Sequence, residues 1–442
     1  MWGTPVSDSV DLGRAGVLSR SSLLPLICFL SPLVTAAVPR LTWLFLLLLA
    51  ISFAMAALRR GADWRRLIKP NAAFAAMLLV AAYVSLSTVW AADPEAAIVK
   101  GILLFAVVFV TFAAIGALTE GDAEQLRRAT LAYAAGAFLG GLFMLFELVT
   151  DGALTRAYAT FVWVQPGDMK HMQFVDGRAT GLRLSQLNQN VAIIMFNLWS
   201  GLLALQILEE PRRRGVASLL FALAIAIPVV FSYHQASQLA LILSVPAFFA
   251  ARLWPKITFR TLAVVWCLGF ALVLPLSFLA YHTNLHFAEW MPASFRARII
   301  IWEYTSERVL ERPLLGIGAR STRAVRELKE QSEKPEGFIY PRNTGLHAHN
   351  LFLQTWYELG LLGVILIGAA GAIIALGISL LPSGAGPYAA ATFATFLGVA
   401  SSAWGMWQTW LICGVALMAV CLRLAVEGYR GTLDTPRSNE TG

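Results

Sequence analysis

The chain has 442 residues, of which 58% are hydrophobic and 14% charged, and its formal net charge is +8. A mean hydropathy of +0.66 excludes a soluble globular domain and indicates an integral membrane protein. The positive charge does not indicate nucleic acid as a partner. The cations lie mainly in short loops between apolar runs, where they set orientation and attract anionic lipid headgroups.

Apolar runs long enough to cross a hydrocarbon core of roughly 30 Å as helices recur along the chain. We therefore expect an all-α polytopic membrane protein. The first run lacks a small-residue cleavage site and is followed at once by another, so we expect it to be retained as a helix. Twelve spans are predicted, at about residues 22–38, 41–58, 71–91, 98–117, 129–149, 189–208, 216–232, 236–251, 261–281, 350–376, 387–404 and 409–426.

The positions of Lys and Arg predict the orientation of these spans, because cations in short loops are held back from translocation. If the N-terminus is in the cytoplasm, the short loops on the outer side hold almost no cations, so both termini are expected in the cytoplasm. The cations retained on the cytoplasmic side are Arg59, Arg60, Arg65, Arg66, Lys69, Arg127, Arg128, Arg212, Arg213, Arg214, Arg252, Lys256 and Arg260.

Two long outer segments interrupt the spans and divide the chain. Residues 1–281 are predicted to hold nine spans together with the first outer segment, residues 150–188. Residues 282–348 form a large outer loop. Residues 349–442 hold the last three spans and a cytoplasmic tail, and no aqueous domain is expected at either terminus.

The first outer segment ends in Asp-Gly-Arg-Ala-Thr-Gly-Leu-Arg-Leu-Ser-Gln-Leu-Asn-Gln-Asn, residues 176–190. Arg178 and Arg183 are always charged and lie at the membrane boundary. They either extend to lipid headgroups or form a fork that binds phosphate bidentately. The amide side chains at 188–190 either open the sixth span or cap it.

The second outer segment is too long for a simple connection. Ser294 predicts the start of a helix and Pro313 its end, and the pattern between them predicts an amphipathic helix on the outer membrane surface. Arg296 and Arg298 fall in its first turn, where the helix dipole disfavours cations, so an anionic partner is expected. The polar stretch 326–337 is predicted to be a solvated, mobile flap.

All six histidines are predicted on the outer side, either because they serve a site open to that side or because they accompany the long loops. His282 and His286 are one helical turn apart, but no third ligand is near, so no metal site is predicted. No Asp-x-Asp pair faces outward and no cytoplasmic loop carries a Gly-Lys-Ser/Thr motif, which argues against a magnesium-dependent transferase and an ATP-driven pump. The histidines are His171, His234, His282, His286, His347 and His349.

One motif at the tenth span is similar to a pattern of the bacterial O-antigen ligase family. His349-Asn350, nine residues, then Gly360-Leu-Leu-Gly363 resembles the family's His-Asn/Ser/Gln-x9-Gly-x2-Gly/Thr/Tyr. The superfamily that shares this pattern also contains O-antigen polymerases and protein O-oligosaccharyltransferases.

Two further stretches resemble the family. Residues 178–182, Arg-Ala-Thr-Gly-Leu, resemble its Arg-x3-Leu motif, and residues 298–302 with 313–318 resemble the large outer loop before the histidine motif. By motif the resemblance covers residues 150–376, and by span count it covers the whole chain. Many members carry Ser-Arg where this chain has Ser237-Gln238, so any phosphate binding by that arginine falls to other residues here.

The resemblance implies a glycosyltransferase-C-like fold and a glycosyltransferase that needs no cofactor. The expected donor is a glycan on undecaprenyl pyrophosphate, and the expected acceptor is a sugar hydroxyl of the lipid A core. Transfer would take place at the periplasmic face of a Gram-negative inner membrane, with the lipid parts of both substrates in the phospholipid bilayer. Direct displacement at the anomeric carbon implies inversion of configuration, without a metal and without ATP.

The resemblance also implies roles for individual residues. His349 is expected to be the catalytic base, with its pKa lowered by the dipole of the tenth span. His347 and Asn350 are secondary candidates. The departing pyrophosphate is expected to bind arginines; in order of preference these are Arg178, Arg298, Arg183, Arg296 and Arg342.

Helix geometry suggests a packing role for the two glycines of the histidine motif. Eleven residues at about 100° each bring Gly360 to within about 20° of His349 around an α-helix, and Gly363 to within about 40°. Small residues on this face would let a neighbouring helix approach closely and hold the base in place.

Three other functions remain open at this point. An O-antigen polymerase or a protein O-oligosaccharyltransferase would carry the same histidine motif. A secondary transporter or lipid flippase would also have about twelve spans, but such proteins place polar residues near mid-membrane. Here the polar residues gather at one face.

Overall fold

The computed structural model of the chain describes residues 23–161, 172–326, 332–403 and 405–433. In this described part the regular structure is helical except for one two-stranded hairpin. The elements are α1 (Leu23–Ala37), α2 (Thr42–Arg59), α3 (Ala72–Leu86), α4 (Pro94–Leu118), α5 (Ala123–Val149), α6 (Ala153–Phe161), β1 (Met172–Val175), β2 (Arg178–Leu182), α7 (Asn188–Phe196), α8 (Leu198–Ala204), α9 (Pro211–Phe231), α10 (Gln235–Leu253), α11 (Pro255–His282), α12 (Ala293–Glu311), α13 (Thr322–Val325), α14 (Leu351–Gly377), α15 (Gly386–Ser402) and α16 (Thr409–Leu433).

Each predicted span coincides with one or two of these helices. Among the described residues, ten helical segments have the length and hydropathy to cross a membrane. Of the two remaining predicted spans, α1 has 15 residues and α15 has 17. The all-α polytopic membrane fold is therefore confirmed, and the number of twelve spans stays a prediction.

The sixth predicted span lies within the bundle and consists of two helices, α7 and α8. They meet at Asn197, whose side-chain oxygen accepts a hydrogen bond from the Tyr133 hydroxyl at 2.8 Å. Most of this span is buried, against α1, α5, α15 and α16. At its start the Asn190 amide donates to the carbonyls of Ala36 and Ala37, at the end of α1. The amide residues thus open the span and hold it against α1.

The helix predicted in the second long connection is present as α12. Its apolar face, which we expected against the membrane surface, is packed on protein instead: Ile299, Ile300 and Val309 are almost fully buried, and α12 contacts α11 and α14. The indole nitrogen of Trp302 donates to the Ala348 carbonyl at 2.7 Å. The helix is therefore fixed to the segment that carries the histidine pair. Of the predicted flap, residues 327–331 lie outside the described part of the chain.

The tenth predicted span, α14, is broken at Gly360, where φ is +63° and ψ is −164°. The break leaves backbone groups without partners in their own helix. Residues 313–318, which we call the loop strand, lie along the break and supply such partners. For example, the Leu361 amide donates to the Pro313 carbonyl at 2.8 Å.

The loop strand is held from two sides. Towards α14, the amide of Gly318 donates to the Glu358 carbonyl at 2.8 Å. Towards the connection between α3 and α4, the Leu315 carbonyl accepts a hydrogen bond from the Trp90 indole at 3.1 Å. Three distant parts of the chain therefore meet at the broken helix.

The helix-face geometry predicted for the motif glycines is wrong. His349 precedes α14, and Gly360 interrupts it, so regular helical steps do not connect the two residues. A Cβ atom on Gly360 would lie 2.4 Å from the carbonyl oxygen of Leu314. A Cβ atom on Gly363 would lie 2.2 Å from the Cβ of Leu359, in the same helix. Both glycines are explained by the break and the loop strand, and not by the packing of a neighbouring helix.

We expect Gly360→Ala to destabilise the protein, because the new methyl group meets the backbone of the loop strand and the left-handed φ is unfavourable for alanine. The apparent melting temperature of the purified protein should fall by several degrees. Gly377→Ala is the matched control in the same helix, since a Cβ there meets nothing within 4 Å. Equal melting temperatures for the two variants would contradict this account of the break.

Candidate functional site

His349 lies immediately before α14 and has a left-handed backbone, with φ of +53°. The N-cap of α14 is Asn350, whose side chain accepts a hydrogen bond from the Leu353 amide at 3.1 Å. Asn350 is thereby explained as a helix cap. The cap fixes the chain direction at the point where the His349 ring leaves the backbone.

The His349 ring is oriented by a hydrogen bond between Nδ1 and the Ala403 carbonyl, at 3.1 Å. A carbonyl oxygen only accepts hydrogen bonds, so in the neutral ring the proton is on Nδ1. Nε2 then carries the free electron pair. The arrangement suits a group that accepts a proton at Nε2.

His347 lies against His349, with ring centroids 4.1 Å apart. Its side chain is buried, and Nε2 has no hydrogen-bond partner among the residues that the structure describes. Gly405 backs the ring closely, because a Cβ there would lie 2.9 Å from the His347 Cβ. The two histidines thus form one unit at the entrance to α14, which we call the histidine pair.

Both members of the histidine pair are neutral at pH 7. Burial and the charge of Arg298 lower the pKa of His349 to about 4. Burial and the positive potential of His349 and nearby arginines lower the pKa of His347 to about 3. The direction predicted for His349 is confirmed, but the cause is burial and a neighbouring cation rather than the helix dipole.

Arg298 extends from α12 towards the histidine pair. Its charge contributes to the lowered pKa of His234, His347 and His349, so the guanidinium lies close to all three rings. Its Nη1 atom is buried without a hydrogen-bond partner in the described structure, and burial lowers its pKa. Arg296 likewise has a buried Nε atom without a described partner. A partly desolvated cation beside a neutral imidazole favours binding of an anion between them.

Ser237 and Gln238 stand where the resemblance to the family implies Ser-Arg. His234 Nδ1 is 2.6 Å from the Ser237 hydroxyl, and burial lowers its pKa to about 3. The Gln238 amide donates to the carbonyls of Val230 and Ser232, at 3.0 and 2.9 Å. Gln238 therefore closes the turn between α9 and α10, and the arginine charge that acts on the neighbouring His234 comes from Arg298, on α12.

Arg178 and Arg183 lie on and just after the hairpin, and both are exposed. The hairpin turn is Asp176-Gly177, in which both residues have positive φ, as expected for a tight two-residue turn. Arg156 of α6 holds the hairpin by donating to the Thr180 carbonyl at 2.8 Å. The described contacts do not bring Arg178 or Arg183 to the histidine pair, so their role stays a prediction.

Arg342 does not present a free charge. It forms ion pairs with Glu303 and Glu307 of α12, each at 2.8 Å, and the hydrogen bonds to Glu303 raise its pKa. The expectation that Arg342 binds pyrophosphate is therefore corrected: two carboxylates already neutralise its guanidinium. It fastens the chain before the histidine pair to α12.

A cavity of about 540 Å³ has His347 in its wall. Four cations line the cavity, and none of them is among the candidate site residues of the sequence analysis. Indole rings and amide side chains line it as well, including Trp43, Trp407 and Gln189. The cations are Arg40, Lys100, Arg320 and Arg323.

Glu358 anchors the wall of this cavity from inside α14. It is about 1% exposed and accepts hydrogen bonds from the Arg320 amide (2.8 Å), from the amide and hydroxyl of Thr322, from Gln354 and from the Trp407 indole. A buried carboxylate is stable only when its oxygens are satisfied in this way. Glu358 therefore fixes the loop that carries Arg320 and Arg323 to the broken helix.

The sequence contained a signal for part of this cavity. Lys100 and Glu358 are charged residues inside predicted spans, and such residues are commonly functional. Arg40 and Arg323 gave no comparable signal, because they come from connections that are far apart in the chain and only the fold brings them together. Of the remaining histidines, His286 stacks on Tyr281 with centroids 4.6 Å apart, and His171 lies outside the described residues.

Comparison with known proteins identifies the same region. Residues 219–368 match a family model described as O-Antigen ligase. The chain is 23% identical over 355 residues to a protein of Rickettsia felis named "Putative polysaccharide ligase", covering 79% of this chain and 80% of the relative. A second protein of that name, from Rickettsia conorii, is 22% identical over 329 residues, covering 73% and 72%. These matches confirm the resemblance to the O-antigen ligase family.

We expect His349 to take up a proton only near pH 4, because burial and Arg298 lower its pKa from the ordinary 6.5. Arg298→Gln should raise this pKa, since it removes one of the two causes. NMR of the protein with labelled histidine measures both values, with Arg312→Gln, at the exposed end of α12, as the control. Because the unfolded chain binds this proton more readily, the group contributes stability above about pH 6.5 and loses it as the pH falls towards 4. A wild-type pKa near 6.5 would contradict the assignment.

Proposed function

We infer that this O-antigen-ligase-like protein is a membrane glycosyltransferase that moves a glycan from undecaprenyl pyrophosphate to a sugar hydroxyl of the lipid A core. The observation that carries the proposal is a neutral histidine pair beside a buried arginine at the start of a membrane helix. A hydroxyl acceptor needs a proton acceptor, and a pyrophosphate leaving group needs a cation. The family match and the names of the relatives support the ligase activity.

In this scheme His349 is the base. Its Nδ1–H is bound to the Ala403 carbonyl, so Nε2 accepts the proton as the acceptor hydroxyl attacks. The oxygen forms a bond to the anomeric carbon, the bond from that carbon to the phosphate oxygen breaks, and the electron pair leaves with the pyrophosphate. The single displacement inverts the anomeric configuration and releases undecaprenyl pyrophosphate. His347 packs on the ring of the base.

Arg298 is the first candidate to stabilise the leaving pyrophosphate, because its charge is already close to His349 and one of its donor atoms is free in the described structure. Arg296 has a similar buried donor. Arg178 and Arg183 are proposed to join them when donor binds. Exposed guanidinium groups on a hairpin suit a partner that arrives from outside the bundle.

The proposed location is the inner membrane of a Gram-negative bacterium, with the histidine pair at the periplasmic face and both termini in the cytoplasm. The distribution of Lys and Arg among the short loops supports this orientation. Outside the cytoplasm an activated lipid pyrophosphate is a reasonable source of energy for transfer. The lipid tails of both substrates would remain in the bilayer.

Transfer by the purified protein from a defined lipid-linked glycan to lipid A core tests the proposal. His349→Ala should lower kcat by about 10² to 10⁴-fold, the usual contribution of a general base. Arg298→Ala and Arg178→Ala should also reduce transfer, with binding of the donor weakened. His282→Ala is the matched control, because His282 is an exposed histidine at the end of α11. Full activity of His349→Ala would refute the role of the base.

Deletion of the gene separates ligase from polymerase activity. A ligase is expected to leave a lipopolysaccharide core without any capping glycan, when the lipopolysaccharide is separated by electrophoresis. A core that still bears a single repeat would identify a polymerase instead. Loss of a glycan from secreted or envelope proteins, with intact lipopolysaccharide, would identify a protein glycosyltransferase.

We expect transfer to proceed in EDTA, because in this scheme arginines stabilise the leaving group and His349 accepts the proton. The product should have the inverted anomeric configuration, which NMR of the isolated glycan measures. Strict loss of activity in EDTA that a divalent ion restores would overturn the scheme, as would retention of configuration.

A further inference from the structure

The cavity beside His347 is unusual for its uncompensated charge. Within the described part of the chain, Arg40, Arg320 and Arg323 form no ion pair with a carboxylate, and Lys100 donates only to the Thr409 hydroxyl at 3.2 Å. Burial and two neighbouring arginines lower the pKa of Arg323, so the cations repel one another. Crowded cations without acidic partners favour a bound anion.

One described carboxylate in the cavity wall, Glu358, sets at most a single negative charge against these four cations. Glu358 is the described acidic residue that lines the cavity, and its oxygens already accept hydrogen bonds from Arg320, Thr322, Gln354 and Trp407. His347 also contributes to the wall of the cavity. The cavity therefore offers hydrogen-bond donors and positive charge in excess of what the described residues use.

The shape and lining of the cavity fit a sugar chain. Its volume of about 540 Å³ lies within the range of about 300 to 1,000 Å³ typical of small-molecule sites, and far exceeds a diphosphate group. Trp43, which is 49% exposed, presents an apolar ring face, and Gln189 presents an amide. Indole rings pack on the apolar faces of sugars, and amides bond their hydroxyls.

Two groups of cations lie near the histidine pair. Arg298, on α12, acts on His349 and is not part of the cavity wall, whereas Arg320 and Arg323 line the cavity together with His347. The diphosphate of a lipid-linked donor is one compact anion. The proposed function places it at Arg298, so the four cations of the cavity exceed what the donor needs.

We propose that this cavity binds the acceptor oligosaccharide through phosphate or carboxylate groups on its sugars. The proposal rests on the glycosyl transfer inferred above and adds the acceptor subsite. Arg323, Arg320, Lys100 and Arg40 bind the anionic groups, and Trp43 supports the sugar rings. An acceptor held there lies against His347, and therefore beside the histidine pair.

Direct binding tests the proposal without relying on turnover. The probes are core oligosaccharide freed of lipid, the same oligosaccharide dephosphorylated with hydrofluoric acid, and the same oligosaccharide with its carboxyl groups reduced. Calorimetric titration into the protein in nanodiscs measures affinity. Arg323→Ala and Lys100→Ala should each weaken binding of the intact probe about ten-fold or more, as expected for loss of a charge-assisted hydrogen bond. Arg312→Ala is the matched control, an exposed arginine just after α12 that does not line the cavity.

The treated probes identify the anionic group. Weaker binding of the dephosphorylated probe identifies phosphate as the ligand, and weaker binding of the reduced probe identifies carboxylate. Equal binding of all three probes, or unchanged binding by both cavity variants, would overturn the proposal. Melting temperatures of the variants show whether a loss of binding reflects unfolding, and the milder Arg323→Lys then replaces Arg323→Ala.

Steady-state kinetics distinguish acceptor from donor. The cavity variants should raise KM for the acceptor about ten-fold with little change in KM for the donor. A rise in donor KM alone would assign the cavity to the donor and overturn the proposal. If the wild-type protein transfers no glycan at all, the proposed function fails, while the titration still decides whether the cavity binds an anionic sugar chain.

Discussion

A helix that breaks inside an apolar bundle must find hydrogen-bond partners for the backbone groups that it releases, because lipid and apolar side chains supply none. In this protein the break is at Gly360, and the loop strand of residues 313–318 supplies the partners. The same loop strand leads directly to Arg320 and Arg323. The position of the cationic wall is therefore a consequence of the way in which one membrane helix is completed.

Glu358 also joins the loop to the broken helix, through its side chain. It lies two residues before the break. Its carboxylate accepts hydrogen bonds from an amide and a hydroxyl of the loop and from the indole of Trp407, just before α16. A single buried charge thus joins three parts of the chain. The nine residues between Asn350 and Gly360 therefore run from the helix cap to the break.

Much of the architecture was predictable from the sequence, because apolar runs of membrane length leave few alternatives to helices. The helix α12 was predictable as well, since Ser294 lies in its first turn and Pro313 follows its end. The break at Gly360 was not predictable from the sequence. A regular helix was the simplest interpretation of an uninterrupted apolar run, and the sequence does not reveal that a distant loop replaces its hydrogen bonds.

The cavity could not be predicted for a similar reason, because Arg40, Lys100 and Arg323 meet only after the bundle has formed. Arg342 was misjudged because its partners, Glu303 and Glu307, lie some 40 residues away on α12.

The hydrogen bond between His349 and Ala403 has a consequence for the assembly of the molecule. Ala403 ends α15, and its carbonyl is one of the groups that a helix leaves unsatisfied at its C-terminus. The tautomer of His349 is therefore set by a helix that is inserted later in the chain. Until α15 has docked beside α14, the imidazole has no fixed proton position and no defined direction. A partly inserted chain would hold every residue of the histidine motif and still lack the hydrogen bond that orients His349.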